Sequence, residues 1–284
     1  WPCNNEGEDA RLYEAVEAVS DFAIALGINI PTGKDSLSMK QRYPDGDVVA
    51  PGTVIISAAG HCNQIKQVVE PVLEKEEGDI YYINFSQDSY QLGGSSFAQT
   101  LNKIGAVAPD IKDPIFVKNA FNALQEMISK DQIAAGHDIG SGGLITTLLE
   151  MCFADLNLGA SIDLSALGES DTIKLLFAEN AGVVFQLKAK ASTAILDAAA
   201  ISYHKIGKVT NTPTLEIKND LVAIGLPVAS LRDTWMSTSA LLDEKQTANG
   251  RGLARFENYK HQALDYSFPN NFTGILAPFS GARP

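Results

Sequence analysis

Residues 135–151 read AGHDIGSGGLITTLLEM and place an acid and a glycine-rich turn before an apolar stretch with helical spacing. The order predicts a strand that ends at Asp138 and a helix that begins after the glycines. An aspartate there could hold Mg²⁺, and the glycines would let backbone N–H groups approach an anion near the positive end of the helix. A tight turn between strand and helix, with Asp138 as a local cap, fits the same residues.

Residues 33–36 read GKDS and invite comparison with the phosphate-binding loop G-x-x-x-x-G-K-[ST]. The comparison fails, because five residues separate Gly27 from Gly33 and because Asp35 stands where Ser or Thr should follow the lysine. A nucleotide hydrolase of that class is therefore excluded. Lys34 could still contact a phosphate, with Asp35 pairing or coordinating beside it. A surface ion pair in a turn is the alternative.

Two further stretches could contribute to a site. Residues 92–95 read LGGS and lie between a predicted strand and a predicted helix, where they could approach a phosphate or form a tight turn with a serine cap. Glu179 precedes a predicted strand and could reach a metal or a substrate amine, although a solvated acid at a strand edge is the commoner outcome.

Other classes of chemistry find little support in the sequence. The four histidines form no HxH or HExxH spacing, and no Gly-x-Ser-x-Gly segment is present. Cys3, Cys62 and Cys152 are an odd, scattered set without CxxC spacing, which argues against a disulfide framework and a zinc site. Reduced cysteines in the cytoplasm are the simplest interpretation, and covalent catalysis is not expected.

The charge balance limits the partners. The 284 residues include 34 acids and 22 lysines and arginines, for a net charge of −12, so a general nucleic-acid-binding face is not expected. An anionic ligand would need local help from Mg²⁺, backbone N–H groups or a few cations. No apolar run approaches the roughly 20 residues of a membrane helix, and no secretory signal is present. The sequence begins with Trp1, which suggests a piece of a longer protein.

Hydrophobic periodicity predicts a mixed α/β architecture in two subdomains. The predicted helices cover residues 10–26, 115–128, 144–153, 191–200 and 231–242, and the stretch 92–101 turns from LGGS into a further helix. The predicted strands cover residues 28–30, 53–59, 80–85, 133–138, 181–187, 214–217 and 220–224. The acidic stretch at 74–79 is a candidate boundary, and the Pro-, Gly- and Asn-rich residues from 244 onwards are typical of a linker or a surface strap.

Five motifs together resemble a known family. PTGKDSLSMK at 31–40, LGGSSFAQTL at 92–101, GHDIGSGGLITTLLEMCFA at 136–154, LFAENAGVVFQL at 176–187 and LRDTWMSTSALLD at 231–243 occur in the order found in large-form phosphoribosylformylglycinamidine synthases. The resemblance runs along essentially the whole chain. It implies the aminoimidazole ribonucleotide synthetase-like fold, an α/β (α+β mixed sheet) class.

The resemblance also implies a domain organisation and an activity. Residues 1–75 would be the end of the second N-type synthetase domain, 76–243 the second C-type domain, and 244–284 a linker towards a glutaminase domain. The family uses ATP and glutamine to convert formylglycinamide ribonucleotide to formylglycinamidine ribonucleotide. The implied partners are the rest of the same polypeptide, namely the first synthetase repeat and the glutaminase domain, and a nucleotide. No nucleic acid or membrane partner is expected.

Site residues follow from the same resemblance. The family's HDxS aspartate binds Mg²⁺ beside a tightly held auxiliary ADP, and it matches Asp138. Gly140 stands where the family has a nucleotide-contacting serine, with Ser141 next along, and Gly142 and Gly143 complete the turn that opens the helix. Lys34 and Asp35 would line the synthetase cleft, and Glu179 matches a recurrent acid, all three without an assigned catalytic role.

Three interpretations stay open at the level of sequence. The chain could contribute to the auxiliary Mg-nucleotide site of the ligase and be inactive alone, or act as a non-catalytic structural nucleotide-binding module. It could also be a self-standing ATP-using relative, although the first 75 residues leave little room for a complete N-type domain. Exposed strand edges in that first part would favour self-association of the isolated chain.

Overall fold

A computed structural model describes residues 1–62, 64–261 and 267–274. The chain divides into two compact units, residues 1–62 and 63–284. The division into 1–75, 76–243 and 244–284 stays a prediction.

The first unit consists of one helix and one hairpin. Helix α1, Glu8–Leu26, ends where Gly27 adopts a left-handed conformation with φ 76° and its N–H reaches the carbonyls of Ala23 and Ile24. Strands β1, Lys40–Tyr43, and β2, Gly46–Val49, pair antiparallel around the Pro44-Asp45 turn. Within the first unit, Pro2 alone among the described residues is buried.

Two strand predictions in the first unit are wrong. Residues 28–30 and 53–59 have no regular structure, and Ile55 has 83% of its surface exposed. A β-branched run predicts a strand only when a neighbouring strand supplies hydrogen bonds and burial. Within this unit no described strand pairs with either stretch. The β preference of these residues is therefore not enough to form a strand.

The second unit is built on one mixed sheet. Its strands are β3 Ile80–Asn84, β4 Ile133–Asp138, β5 Gly159–Asp163, β6 Gly182–Leu187, β7 His204–Thr210, β8 Thr214–Asn219 and β9 Val222–Pro227. Its helices are α2 Ser96–Thr100, α3 Pro114–Ser129, α4 Gly143–Cys152, α5 Thr172–Phe177, α6 Ala194–Ala198, α7 Val228–Gln246 and α8 Arg251–Tyr259. Among the described residues the strand order is β4-β6-β3-β7-β5-β8-β9, with β5 and β8 parallel and the other pairs antiparallel. The predicted α/β class with a mixed sheet is confirmed.

Alternating side chains fill a core on each face of the sheet. On β6, Val184 packs with the core under α4 and α5, whereas Val183, Phe185 and Leu187 pack with the core under α3 and α6. Such a strand, covered on both faces, reads as a continuous apolar run, as residues 183–187 largely do. Cys152 lies in the first core, and its burial raises the pKa of its thiol to about 12.

Local signals set the start of α3. The Asp113 carboxylate accepts hydrogen bonds from the N–H groups of Ile115 and Phe116, at 2.9 and 3.1 Å, and Pro114 occupies the first turn, where its missing N–H costs nothing. Ala120, Ala123, Leu124 and Met127 form the buried face. A cap, a proline and an apolar stripe thus explain why this helix forms where the sequence predicts it.

Several elements were not predicted by periodicity. Strands β1, β2, β5 and β7 and helices α5 and α8 are additional, and the final hairpin turns at Asp220-Leu221 instead of Lys218-Asn219. Helix α8 lies within the stretch interpreted as a linker from residue 244. The strands at 80–85, 133–138 and 181–187 and the helices at 115–128 and 144–153 are confirmed to within about two residues. None of the helices in the described ranges is long and apolar enough to cross a bilayer.

The register brings three loops to one edge of the sheet. Asn84, the last residue of β3, is opposite Gly182, the first residue of β6, and Asp138, the last residue of β4, is opposite Val183. The loops that follow β3 and β4 and the turn that precedes β6 therefore meet. We call this edge of the second unit the site edge.

A substitution at Leu148 tests the hydrophobic core between α4 and the sheet, which supports the site edge. Leu148 is fully buried on α4, so Leu148→Ala should lower the free energy of unfolding by about 2–5 kcal/mol through lost burial and a residual cavity. Leu221→Ala, at a fully exposed position in the β8–β9 turn, is the matched control and should change it by less than about 0.5 kcal/mol. Chemical denaturation followed by circular dichroism measures both. Equal effects of the two substitutions would contradict the assigned core.

Candidate functional site

Asp138 presents its carboxylate to solvent at the site edge. Its side chain is 85% exposed, and Oδ1 lies 3.2 Å from Nδ1 of His137. The Asp138 carbonyl accepts a 3.0 Å hydrogen bond from Oγ1 of Thr147, which is buried on α4. The main chain at Asp138 is thus tied to the core, while the carboxylate oxygens remain accessible to a ligand.

A series of hydrogen-bonded side chains next to Asp138 holds the imidazole of His137 in place. Nε2 of His137 lies 2.9 Å from Oε2 of Glu150, and Oε1 of Glu150 accepts a 3.0 Å hydrogen bond from Nε1 of Trp235. A neutral imidazole can donate to only one of Glu150 and Asp138, whereas the protonated ring donates to both. The ring therefore connects α4 and α7 with the exposed carboxylate of β4.

The sequence did not predict the hydrogen bonds that join His137, Glu150 and Trp235. His137 was treated there only as one of four histidines without metal spacing, and Glu150 and Trp235 carried no assignment. The His-Asp pair and the glutamate on the following helix were the available signal. Their pairing depends on the packing of α4 on β4, which spacing alone does not reveal.

Gly142 and Gly143 are required by the backbone of the turn. Both adopt left-handed conformations, with φ 93° and 74°, that side chains disfavour. A Cβ on Gly143 would lie 2.7 Å from the Leu176 carbonyl oxygen, and one on Gly142 would lie 2.3 Å from Oγ1 of Thr146. The N–H of Gly143 bonds to the carbonyl of Gly140 at 3.1 Å. These two glycines shape the start of α4.

Gly140 and Ser141 form the open part of the turn. Both are exposed, and nothing lies within 4 Å of a Cβ built on Gly140. Within the described residues, the backbone N–H groups of these two residues have no protein acceptor. They are therefore the donors of residues 140–143 that a ligand could use.

Glu179 joins the turn before β6 to two other loops. Its Oε1 accepts one hydrogen bond from the N–H of Gly142 and another from the N–H of Ser96, each 2.8 Å long. The first donor opens α4 and the second opens α2. The carboxylate thus occupies two N–H groups that an anionic ligand could otherwise contact.

The LGGS stretch is a capped turn in this structure. The N–H groups of Gly93 and Gly94 bond to the carbonyls of Val107 and Ile104 at 2.8 and 2.7 Å. Oγ of Ser95 caps α2 by accepting from the N–H of Ala98. The N–H groups of Gly93, Gly94 and Ser95 are therefore engaged within the protein, which favours the tight-turn interpretation over a phosphate contact.

Lys34 and Asp35 lie in the first unit, away from any regular element. Nζ of Lys34 donates to the Asp35 carbonyl and to Oγ of Ser36, both at 2.8 Å, and both side chains are exposed. The lysine thus bonds the carbonyl of its neighbour and not its carboxylate. Both residues border a cleft of about 650 Å³ that also includes Val16, Ile30 and Ile55.

Asp138 also borders an apolar cavity on the α3 face of the sheet. The cavity measures about 430 Å³ and is lined by side chains such as Phe85, Phe121, Leu124 and Ile128. No cluster of three or more His, Cys, Asp or Glu side chains that could hold a metal occurs in the described part of the chain. Asp138 could therefore supply one metal ligand to a site completed by other groups.

Comparison with protein families identifies two domains. Residues 1–61 match the model described as FGAR-AT PurM_N-like domain. Residues 86–219 match the model described as AIR synthase related protein, C-terminal domain. The second match includes β4, the 140–143 turn, Glu179 and β6, and so covers the site edge.

Two curated relatives are similar along most of the chain. The probable phosphoribosylformylglycinamidine synthase, chloroplastic/mitochondrial, of Arabidopsis thaliana is 38% identical over 85% of this chain and 17% of that protein. The phosphoribosylformylglycinamidine synthase of Homo sapiens is 32% identical over 100% of this chain and 22% of that protein. The chain spans about a fifth of the length of these relatives.

Solved structures share the fold. PurL of Thermotoga maritima, in a structure complexed with FGAR, matches with a TM-score of 0.52 and 17% identity over 76% of this chain and 36% of that chain. A structure of the same protein complexed with ATP matches with a TM-score of 0.51 and 17% identity over 76% of this chain and 35% of that chain. At this level of identity the match supports the fold.

The two kinds of glycine in the 140–143 turn can be separated by substitution. Gly143→Ala should cost about 1–3 kcal/mol for the left-handed backbone, with a further cost for the contact with the Leu176 carbonyl. Gly140→Ala should cost less than about 0.5 kcal/mol, because its Cβ meets open space. Thermal or chemical unfolding measures both. A larger loss for Gly140→Ala than for Gly143→Ala would contradict the turn geometry.

Proposed function

The chain belongs to the aminoimidazole ribonucleotide synthetase-like superfamily, and we propose that it is part of an ATP-dependent carbon–nitrogen ligase of purine biosynthesis, a phosphoribosylformylglycinamidine synthase. That enzyme converts formylglycinamide ribonucleotide, glutamine and ATP to formylglycinamidine ribonucleotide. The names of the plant and human relatives support this proposal. The first synthetase repeat and the glutaminase domain of the same polypeptide would supply the remaining parts of the reaction.

Within that enzyme we propose that residues 138–143 contribute to the auxiliary Mg-nucleotide site. The proposal rests on two features of one short loop. The Asp138 carboxylate is exposed, and the N–H groups of Gly140 and Ser141, two and three residues later, have no acceptor among the described residues. A carboxylate for the cation and N–H donors for the anion are what a Mg-nucleotide complex requires. ADP or ATP with Mg²⁺ is the expected ligand.

A single carboxylate fits Mg²⁺ bound together with a nucleotide. Mg²⁺ keeps several water molecules and is usually bound through one or two carboxylates plus substrate phosphates. Asp138 would be one such ligand, and further ligands would come from outside the described residues. When bound, Mg²⁺ would neutralise phosphate charge next to a chain whose own net charge is −12.

The four residues of the 140–143 turn would have two different roles. Gly140 and Ser141 would face the nucleotide with free N–H groups, and Oγ of Ser141 could replace the serine that the family has at position 140. Gly142 and Gly143 would act indirectly, because their N–H groups bond to Glu179 and to the Gly140 carbonyl. Their conformations would place the first two residues.

The same geometry favours a supporting task over turnover by this chain alone. Phosphoryl transfer needs several cations and donors placed around the phosphates, and one aspartate with two N–H groups supplies too few. The chain would therefore be inactive alone and would hold a nucleotide as a structural element of the larger ligase. Turnover of ATP by the isolated chain would instead favour a self-standing relative. A cytoplasmic location stays a prediction.

Calorimetric titration with Mg·ADP tests the proposed site. Asp138→Asn removes the ligand charge and should weaken Mg·ADP binding by at least about tenfold, as expected for changes in metal coordination. Asp220→Asn, an exposed acid in the β8–β9 turn, is the control and should leave the affinity unchanged. If the unaltered chain binds Mg·ADP and Asp138→Asn binds it equally well, Asp138 is not a ligand.

Gly140→Ser tests which atoms of the turn meet the nucleotide. The substitution restores the serine expected from the family and meets open space, so the fold should tolerate it. An added hydroxyl donor should strengthen ADP binding about two- to tenfold, the range of one net hydrogen bond. The same titration measures it, with Ser165→Gly as a distant control. Weaker binding would contradict a nucleotide that faces Gly140.

A further inference from the structure

The turn before β6 anchors every loop of the site edge. The N–H of Ile139 bonds to the Gly182 carbonyl at 2.9 Å, and the N–H of Ser86 bonds to the Ala181 carbonyl at 3.1 Å. The side chains of Glu179 and Asn180 add to these main-chain bonds. Four consecutive residues therefore hold the loops that follow β3 and β4.

Asn180 anchors the loop after β3. Its side chain is buried, with Nδ2 2.7 Å from Oγ of Ser86 and 3.3 Å from the carbonyls of Asp88 and Ser89. These bonds close the first turn of that loop. The asparagine therefore determines the path of the chain towards Ser95 and Ser96.

Glu179 anchors the loop that carries Asp138. One oxygen, Oε1, accepts from Gly142 in that loop and from Ser96 in the other. Hydrogen bonds from N–H groups to a charged acceptor are among the stronger ones in proteins, and a negative charge at the start of the ten-residue helix α4 is favourable. No other described side chain bonds to both loops.

We propose that Glu179 is a positioning residue that acts as an internal anion: it saturates the N–H groups of Ser96 and Gly142 and fixes the 138–142 loop. The nucleotide is thereby restricted to the remaining donors, Gly140 and Ser141. The assignment concerns the position of the loops and not proton transfer, because Oε1 accepts from backbone N–H groups of both loops. Its relevance to nucleotide binding rests on the proposed function, whereas the bridging itself does not.

Backbone amide resonances of the full chain test the bridge directly. Amide protons bonded to a carboxylate resonate downfield, so Glu179→Ala should move the resonances of Ser96 and Gly142 upfield together. Glu169→Ala is the matched control, because Oε1 of Glu169 accepts from the N–H of Asp171 alone. That control should leave Ser96 and Gly142 in place. Unchanged Ser96 and Gly142 resonances in Glu179→Ala would overturn the proposal.

Chemical rescue provides the second readout. Glu179→Ala leaves two N–H donors directed at the space of a missing carboxylate, so sodium formate should raise the Tm of this variant. Sodium chloride at equal ionic strength should not, and formate should not raise the Tm of the unaltered chain or of Glu169→Ala. If both salts raise the Tm of Glu179→Ala equally, the two N–H groups do not form a site for a carboxylate.

Nucleotide affinity separates positioning from chemistry. Glu179→Gln keeps an acceptor oxygen without the charge and should retain Mg·ADP affinity within about threefold, because neutral hydrogen bonds are roughly half as strong as charged ones. Glu179→Ala should lose about tenfold, as for residues that orient metal ligands, and formate should restore it. Equal losses in both variants would overturn positioning. If Glu179→Ala does not fold, joint movement of the Ser96 and Gly142 resonances in Glu179→Gln decides the bridge.

The two proposals fail in different ways. If the unaltered chain binds no Mg·ADP, the proposed function fails, while the resonances and the formate rescue still report on the bridge. If Mg·ADP binds but Ser96 and Gly142 do not respond to Glu179, the bridge fails and the nucleotide site stands.

Discussion

The arrangement of the site edge depends on one carboxylate oxygen shared by two loops. Oε1 of Glu179 lies 2.8 Å from the N–H of Ser96 and 2.8 Å from the N–H of Gly142. Each such bond contributes roughly 1.5–3 kcal/mol, and removing the acceptor would leave two donors without a partner. Since Gly142 directly precedes α4 and Asp138 ends β4, this oxygen constrains the segment between the sheet and the helix.

Around that constraint, the polar residues of the site edge separate into two groups. Glu179, Asn180 and Thr147 face inward and hold main-chain atoms, whereas Asp138, Gly140 and Ser141 face solvent. The inward group makes hydrogen bonds to the main chain of the loops, including the loop that carries the outward group. A Mg-nucleotide complex would then meet a preorganised carboxylate and a pair of N–H groups, which lowers the entropic cost of binding.

Some elements of the fold could be predicted from the sequence and others could not. The bounds of β4 followed from its apolar run and from the glycines after it, and the helical spacing of residues 115–128 predicted α3. The predictions of strands at 28–30 and 53–59 were wrong, because a local preference for extended backbone does not supply a neighbouring strand to pair with. Strands β5 and β7 escaped prediction because polar and glycine residues interrupt their alternation, as in the segment HKIGKVT. The roles of Glu179 and Glu150 depend on which loops tertiary packing brings together, and no spacing rule encodes that.

In the proposed site, Asp138 and the open part of the turn meet a metal–nucleotide complex. Paramagnetic Mn²⁺ with ADP, titrated into the ¹⁵N-labelled chain, broadens amide resonances within a limited distance of the metal. If the proposed site is correct, Asp138, Gly140 and Ser141 broaden first, before residues of the β8–β9 turn, which lies beside the other outer strand of the sheet. Broadening that begins elsewhere, or that spreads evenly over exposed acids, would contradict it.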